Sequence, residues 1–96
     1  ECHVLDVGVA YGTDVRKCKQ LLLDAVSQLD CINKEKGVKV VLKGLGDSAL
    51  VLKVLVWLRV ETQYADDGIV LECIYNTLND NKIEIPFPQT DVHMKQ

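Results

Sequence analysis

Two serines and two histidines are the side chains that could supply a nucleophile and its base. They are Ser27, Ser48, His3 and His93. A hydrolase serine commonly sits in a Gly-x-Ser-x-Gly turn that exposes its hydroxyl. Neither serine has that context, and Ser48 follows Asp47 in a stretch with turn chemistry. The sequence therefore predicts no catalytic site, and a small hydrolase is a hypothesis that rests on fold analogy alone.

The four cysteines could bind a metal or form disulfides. They are Cys2, Cys18, Cys31 and Cys73, and no two form a Cys-x-x-Cys pair. That spacing is not typical of a zinc ribbon. The even number allows two disulfides, but the chain is apolar enough to form a core without them, so we expect reduced thiols.

One metal site can be imagined at the two ends of the chain. Cys2 and His3 would approach His93 if the first and last strands are antiparallel neighbours, and this set could bind a soft cation. The alternative interpretation is two surface histidines and an incidental thiol. We expect no metal and no other cofactor.

Two loops have the glycine content of phosphate-binding loops but not the rest of the pattern. The stretch 44–48, Gly-Leu-Gly-Asp-Ser, lacks the Gly-Lys-Ser or Gly-Lys-Thr ending, so it predicts a hairpin connection. The stretch 11–14, Tyr-Gly-Thr-Asp, places a carboxylate where a phosphate would need a cation. The sequence thus predicts no phosphate site.

Length and charge narrow the function classes further. The 96 residues, with 48% hydrophobic and 26% charged side chains, indicate a single folded domain over residues 1–96. A net charge of -3 disfavours nucleic acid as a partner. Lys53 and Arg59 interrupt the most apolar run, 49–60, which disfavours a membrane span. Because Glu1 is not a start methionine, we expect an excerpt of a longer protein.

Hydrophobic periodicity predicts six elements. They are a strand over 4–11, a helix over about 14–30, strands over 38–42 and 50–60, a helix over about 62–79 and a short last strand over 91–95. This order predicts an α+β fold of the ferredoxin-like βαββαβ type, an antiparallel sheet with two helices on one face. Among the residues expected in its core are Leu5, Val7, Val9, Tyr11, Cys18, Leu22, Ala25, Val26, Val38, Val40, Leu42, Ile69, Val70, Ile74 and Leu78.

The alternation in the third strand leaves an apolar set on the other face of the sheet. Its members are Val51, Leu55 and Trp57 with Val41 of the partner strand, and Lys53 and Arg59 lie between them. A tryptophan among aliphatic residues on an open sheet face is typical of the centre of a protein interface. The alternative is that a preceding segment of the same polypeptide covers this face. Both interpretations predict that another protein segment or subunit contacts this face of the domain.

Three stretches resemble the small-conductance mechanosensitive channel family. The stretch 83–89, Ile-Glu-Ile-Pro-Phe-Pro-Gln, is similar to the family's Gly-Ile-x-(Ile/Phe)-Pro-(Phe/Tyr)-Pro-Gln. The stretch 7–14, Val-Gly-Val-Ala-Tyr-Gly-Thr-Asp, resembles Gly-Val-Ala-Tyr-x-(Ser/Thr)-Asp, and 45–50 with Trp57 resembles its Leu-x-(Asp/Ala)-Ser-Ser-Val turn and Val-x-Trp strand. Two departures are Lys82 in place of glycine and Ala49 in place of serine.

The resemblance implies a membrane channel of seven identical subunits, gated by membrane tension and releasing solutes after osmotic downshock. It implies no enzyme activity. This domain would form the lower part of a cytoplasmic cage, with the membrane helices before Glu1 and the parent protein in the inner membrane. The candidate interface residues are Val41, Val51, Leu55, Trp57, Pro86, Phe87 and Pro88. The alternative is a free-standing ferredoxin-like module that binds a small ligand or a metal.

Overall fold

The elements follow one another in the order strand, helix, strand, strand, helix. A computed structural model describes residues 2–59 and 66–86. The last strand expected at 91–95 and the expected helix start at 62 lie outside the described residues, as does Val60. The described elements are β1 (Cys2–Val9), α1 (Val15–Ser27), β2 (Val38–Leu45), β3 (Leu50–Trp57) and α2 (Asp66–Asp80).

The three strands form one antiparallel sheet with β3 in the middle. β1 pairs with β3 along its whole length, from Cys2 opposite Trp57 to Val9 opposite Leu50. β2 pairs antiparallel with the other edge of β3. The predicted hairpin of β2 and β3 is therefore confirmed.

One side of the sheet and both helices share a single core. Successive side chains of a strand point to opposite faces, and in β3 the residues Leu52, Val54 and Val56 are fully buried. The helices add Cys18, Leu22 and Val26 from α1 and Val70, Ile74 and Leu78 from α2 to the same cluster. Because both helices bury their apolar stripe against one sheet face, the α+β class with two helices on one face is confirmed.

Asp14 fixes the start of α1. Its carboxylate Oδ1 accepts a hydrogen bond from the backbone N–H of Lys17 at 3.2 Å, the usual role of an N-cap residue. The helix ends at Ser27, earlier than predicted. The N–H groups of Gln28 and Leu29 bond to carbonyls three residues back, at 3.3 and 3.1 Å, so the last turn tightens to 3₁₀ geometry.

Tyr11 is not a core residue, contrary to the prediction. β1 ends at Val9, so Tyr11 lies in the following turn and is 51% exposed. Its hydroxyl donates a hydrogen bond to the carbonyl of Gly46, which joins this turn to the β2–β3 connection. Gly12 has a φ of 96°, which a residue with a side chain rarely adopts, and this turn stops the strand.

Leu42, beside a β-bulge in β2, is a second difference from the prediction. The register with β3 shifts between Leu42 and Gly44. A bulge bends the strand and increases its twist, and Leu42 on this edge strand is 41% exposed, although the alternation predicted it in the core. Lys43 lies at the shift.

α2 buries a narrower stripe than the sequence predicted. Val70, Ile74 and Leu78 recur every four residues and are buried. Ile69 lies about 100° further round the helix, given 3.6 residues per turn, and is 45% exposed, so its predicted place in the core is wrong. Ala25 of α1 is likewise only half-buried.

A Schellman motif ends α2. The N–H of Ile83 bonds to the carbonyl of Leu78 at 2.9 Å, and the N–H of Lys82 bonds to the carbonyl of Asn79 at 3.1 Å. Lys82 adopts a left-handed conformation with a φ of 59°. The motif turns the chain back toward β1, and the carbonyl of Glu84 accepts a hydrogen bond from the N–H of Ala10 at 2.9 Å.

Neither of the two helices in the described part of the chain has the length and apolar content that crossing a bilayer requires.

Candidate functional site

The side of the sheet that faces away from the helices carries an apolar surface. In β3, Val51, Leu55 and Trp57 alternate with the core residues and are half-buried. Val4 of β1 lies opposite Leu55 and is 53% exposed, and Val41 of β2 is 39% exposed. We name these five residues, with the charged residues among them, the outer sheet face.

The charged residues of the outer sheet face are mostly lysines. They are Lys39, Lys43 and Lys53, and the one acid among them is Asp6. The Nζ atom of Lys43 lies 2.9 Å from Oδ2 of Asp6. Asp6 is in β1 and Lys43 is in β2, and β3 lies between these strands. The ion pair therefore crosses β3 at Lys53. Both partners are about half exposed, so the pair contributes less than about 1 kcal/mol and the face keeps a positive net charge.

The outer sheet face has the composition of a contact surface. Contiguous apolar side chains left in water mark interaction sites in soluble domains. Trp57 is the only tryptophan of the chain, and large aromatic residues at the centre of such a patch dominate binding energy. The lysine ammonium groups can remain hydrated around it while their aliphatic stems cover apolar area.

The structure brings together four of the seven candidate interface residues. Val41, Val51, Leu55 and Trp57 share the outer sheet face. Pro86 does not join Trp57. Pro86 lies two residues after Glu84, whose carbonyl accepts a hydrogen bond from Ala10, just beyond the Val9 end of β1. Trp57 pairs with Cys2, at the opposite end of β1. Phe87 and Pro88 lie outside the described residues.

A cleft of about 380 Å³ opens between the β1–α1 loop and the end of α2. Its lining includes Asp14, Lys17, Lys82 and Glu84, a mixture of both charges. Asp14 already occupies the N-terminus of α1, where an anion would bind. Cys18 lines the cleft from the core, and burial raises the pKa of its thiol, which disfavours the reactive thiolate. The charged residues named at this cleft are thus two basic and two acidic.

The two serines considered for catalysis lie in different parts of the fold. Ser27 ends α1 and Ser48 lies in the β2–β3 connection. Cys2 and His3 are neighbours in a strand, so their side chains point to opposite faces of the sheet, which is unfavourable for binding one ion. His93 lies outside the described residues. Across 2–59 and 66–86, no three His, Cys, Asp or Glu side chains are grouped so that they could hold a metal ion.

Sequence reasoning missed several residues on exposed apolar surfaces. Val4 belongs to the outer sheet face. The sequence could have revealed this, because Val4 alternates with Leu5 and Val7, which were assigned to the core face. Leu71 and Tyr75 of α2 are 46% and 56% exposed. The signal for them was an excess of apolar residues over the single stripe that α2 needs to bury.

Comparison with known proteins identifies the relatives of this chain. Residues 3–85 match the family model described as the C-terminal region of the mechanosensitive ion channel MscS. The small-conductance mechanosensitive channel of Edwardsiella ictaluri is 37% identical over 90 residues, covering 94% of this chain and 32% of the relative. That of Helicobacter pylori is 31% identical over 94 residues, covering 92% and 32%.

A solved structure is also similar. The crystal structure of Helicobacter pylori MscS in its closed state superimposes with a TM-score of 0.81 at 27% identity, covering 92% of this chain and 36% of that one. This chain thus spans about a third of the length of the curated relatives it matches.

Proposed function

This chain belongs to the family of MscS C-terminal domains, and from that premise we propose that it is the cytoplasmic domain of a tension-gated channel subunit. The parent channel consists of identical subunits, seven in number, in the cell inner membrane. The domain contributes to subunit assembly and to the wall of a cytoplasmic cage, and it performs no catalysis. The pore lies in the two thirds of the subunit that this chain does not span.

The observation that carries the assembly role is the outer sheet face. A sheet with one face on a core and an apolar second face gains free energy when that second face is also covered. Burial of apolar area stabilises by roughly 25 cal/mol per Å², so covering Val4, Leu55 and Trp57 favours contact with another part of the assembly. Within the described residues this face contacts neither helix.

Replacement of Trp57 by aspartate in the full-length polypeptide tests the assembly role. The variant places an unpaired carboxylate in the contact, and a buried uncompensated charge costs several kcal/mol. We expect the native mass of the detergent-solubilised channel to fall from the assembled oligomer to smaller species. Gln28→Asp is the matched control because Gln28 is exposed just past α1, away from the sheet. An unchanged oligomer in Trp57→Asp would contradict the assembly role.

Patch recording tests the channel activity itself. Membrane patches from cells that express the full-length polypeptide should show currents that appear with suction and vanish when it is released. In cells that lack their own channels of this kind, expression of the full-length polypeptide should raise survival after a drop in external osmolarity. Patches without tension-dependent current, at an expression level verified by blotting of the membrane fraction, would contradict the proposal.

The alternative of a free-standing ligand-binding module has weaker support. Its strongest feature is the 380 Å³ cleft at the β1–α1 loop. Asp14 caps α1 there, and Lys17 and Lys82 share the lining with the opposite charge of Glu84.

A further inference from the structure

A second apolar surface lies on α2, on the side that does not contact the core. Leu71 and Tyr75 are one turn apart and are 46% and 56% exposed. Tyr75 also lines a cleft of about 450 Å³ together with Ile85, which is 42% exposed. Glu72 lies beside them, one helical turn from Tyr75. We name this set, Leu71, Glu72, Tyr75 and Ile85, the outer helix surface.

The charged residues of these two surfaces differ in sign. The outer helix surface carries Glu72 and no basic residue. Strands β2 and β3 carry three lysines and no acidic residue. The single acid of the outer sheet face, Asp6, is held by Lys43. The outer helix surface thus carries one negative charge among apolar residues, and the outer sheet face carries a net positive charge among apolar residues.

We propose that the outer helix surface of one subunit docks onto the outer sheet face of the next. This inference rests on the proposed assembly of identical subunits and names the partner of the sheet. The acidic Glu72 would approach the lysines, and Leu71 and Tyr75 would cover Leu55 and Trp57. Opposite charges across an interface favour association and fix its orientation.

The dimensions of the two surfaces match. α2 has 15 residues and is therefore about 22 Å long at 1.5 Å per residue. β3 has eight residues and spans about 26 Å at 3.3 Å per residue. A helix laid on the outer sheet face completes a sheet covered by helices on both sides, a common layer arrangement.

The contact is heterologous because the two surfaces lie on opposite sides of the domain. The helix layer is on one side of the sheet, and the outer sheet face is on the other. Contacts of this type generate a ring when the rotation between neighbours closes. One repeated contact would therefore cover both apolar surfaces of every subunit. A segment of the same polypeptide laid on the sheet would leave the outer helix surface in water.

A cysteine pair tests the contact in the full-length channel. The pair is Leu55→Cys with Tyr75→Cys, in a background that carries Cys2→Ser and Cys73→Ser. The two positions lie on opposite sides of the same domain, so they exceed the distance that an intrachain disulfide can bridge. Mild oxidation of assembled channels should produce a ladder of covalent multimers that reducing agent removes. The pair of Leu55→Cys with Gln28→Cys should remain monomeric on the same gel.

Charge reversal provides the second measurement, on the same cysteine pair. Lys39→Glu alone and Glu72→Lys alone should each lower the yield of multimers several-fold. The double variant should recover the yield to within about twofold, because it exchanges the two signs across the same contact. Lys36→Glu, in the turn before β2, should leave the yield unchanged.

The outcomes separate this inference from the proposed function. If Trp57→Asp breaks the assembly but Leu55→Cys and Tyr75→Cys form no multimers, another segment or partner covers the sheet, and the docking inference is wrong. If Trp57→Asp leaves the assembly intact, the assembly role fails as well. Loss of multimers in the single charge reversals without recovery in the double variant would also overturn the docking.

Discussion

Replacement of Lys82 by glycine should stabilise the domain. Lys82 is the C′ residue of the Schellman motif that ends α2, and its φ of 59° places an L-residue in the left-handed region. This conformation costs a residue with a Cβ roughly 1–2 kcal/mol. Glycine avoids that cost but loses more backbone entropy on folding, roughly 0.5–1 kcal/mol. The expected net gain is therefore about 0.5–1 kcal/mol.

Thermal and denaturant unfolding of the 96-residue chain would measure this gain. For a domain of this size, 1 kcal/mol corresponds to roughly 4–8 °C in Tm, so Lys82→Gly should unfold about 2–8 °C higher than the unsubstituted chain. The midpoint in urea should rise with an unchanged m value. Lys82→Ala is the control, since alanine keeps the Cβ and its strain. If Lys82→Gly is no more stable than Lys82→Ala, the assignment of a strained C′ residue is wrong.

Three further predictions concern packing, capping and thiol chemistry. Leu22→Ala should lower the free energy of unfolding by about 2–5 kcal/mol in urea titrations, because Leu22 is fully buried, whereas Leu45→Ala at 72% exposure should change it by less than about 0.5 kcal/mol. Asp14→Ala should cost about 1 kcal/mol by removing the cap of α1, and an unchanged urea midpoint would refute that role. Burial raises the pKa of the Cys18 thiol, so at pH 8 it should react with a thiol reagent far more slowly than the exposed Cys2. Because burial holds the pKa of the folded Cys18 thiol above its ordinary value, the contribution of Cys18 to stability should be fully present below that ordinary value and should be lost as the pH rises through the raised value. Equal labelling rates of Cys18 and Cys2 would contradict the protection of Cys18.

The sequence predicted the strands well where alternation was strong. β3 has an apolar residue at every even position over its length, and its even residues are the buried ones. Period-two alternation is a local property, so it can be read without knowledge of the partner strands. The N-cap at Asp14 is also local, since the hydrogen bond spans three residues.

The misplaced residues depend on long-range packing. Ile69 and Val70 are adjacent and both apolar, and only the position of α1 decides which of them is buried. Leu42 fits the alternation of β2, but a bulge at the sheet edge shifts the register after it. Nothing in the local pattern marks the bulge.

In the candidate site, too, local features were predicted and features that depend on long-range packing were not. The alternation of β3 alone predicted that Leu55 and Trp57 share a face. The ion pair of Lys43 and Asp6 required the strand order, because β3 lies between their strands. The outer helix surface was not predicted, since exposed apolar residues on a helix are recognised only after its buried stripe is known.

The most direct test of the account is whether the outer sheet face is covered in the assembled channel. Leu55→Cys, in a Cys2→Ser background, would be labelled with a maleimide in the full-length assembly and in the 96-residue chain. The account predicts labelling at least about tenfold slower in the assembly, which corresponds to about 1.4 kcal/mol of protection. Glu35→Cys, in the exposed turn before β2, should react equally fast in both. Equal rates for Leu55→Cys in the two samples would contradict the claim that this face is an interface.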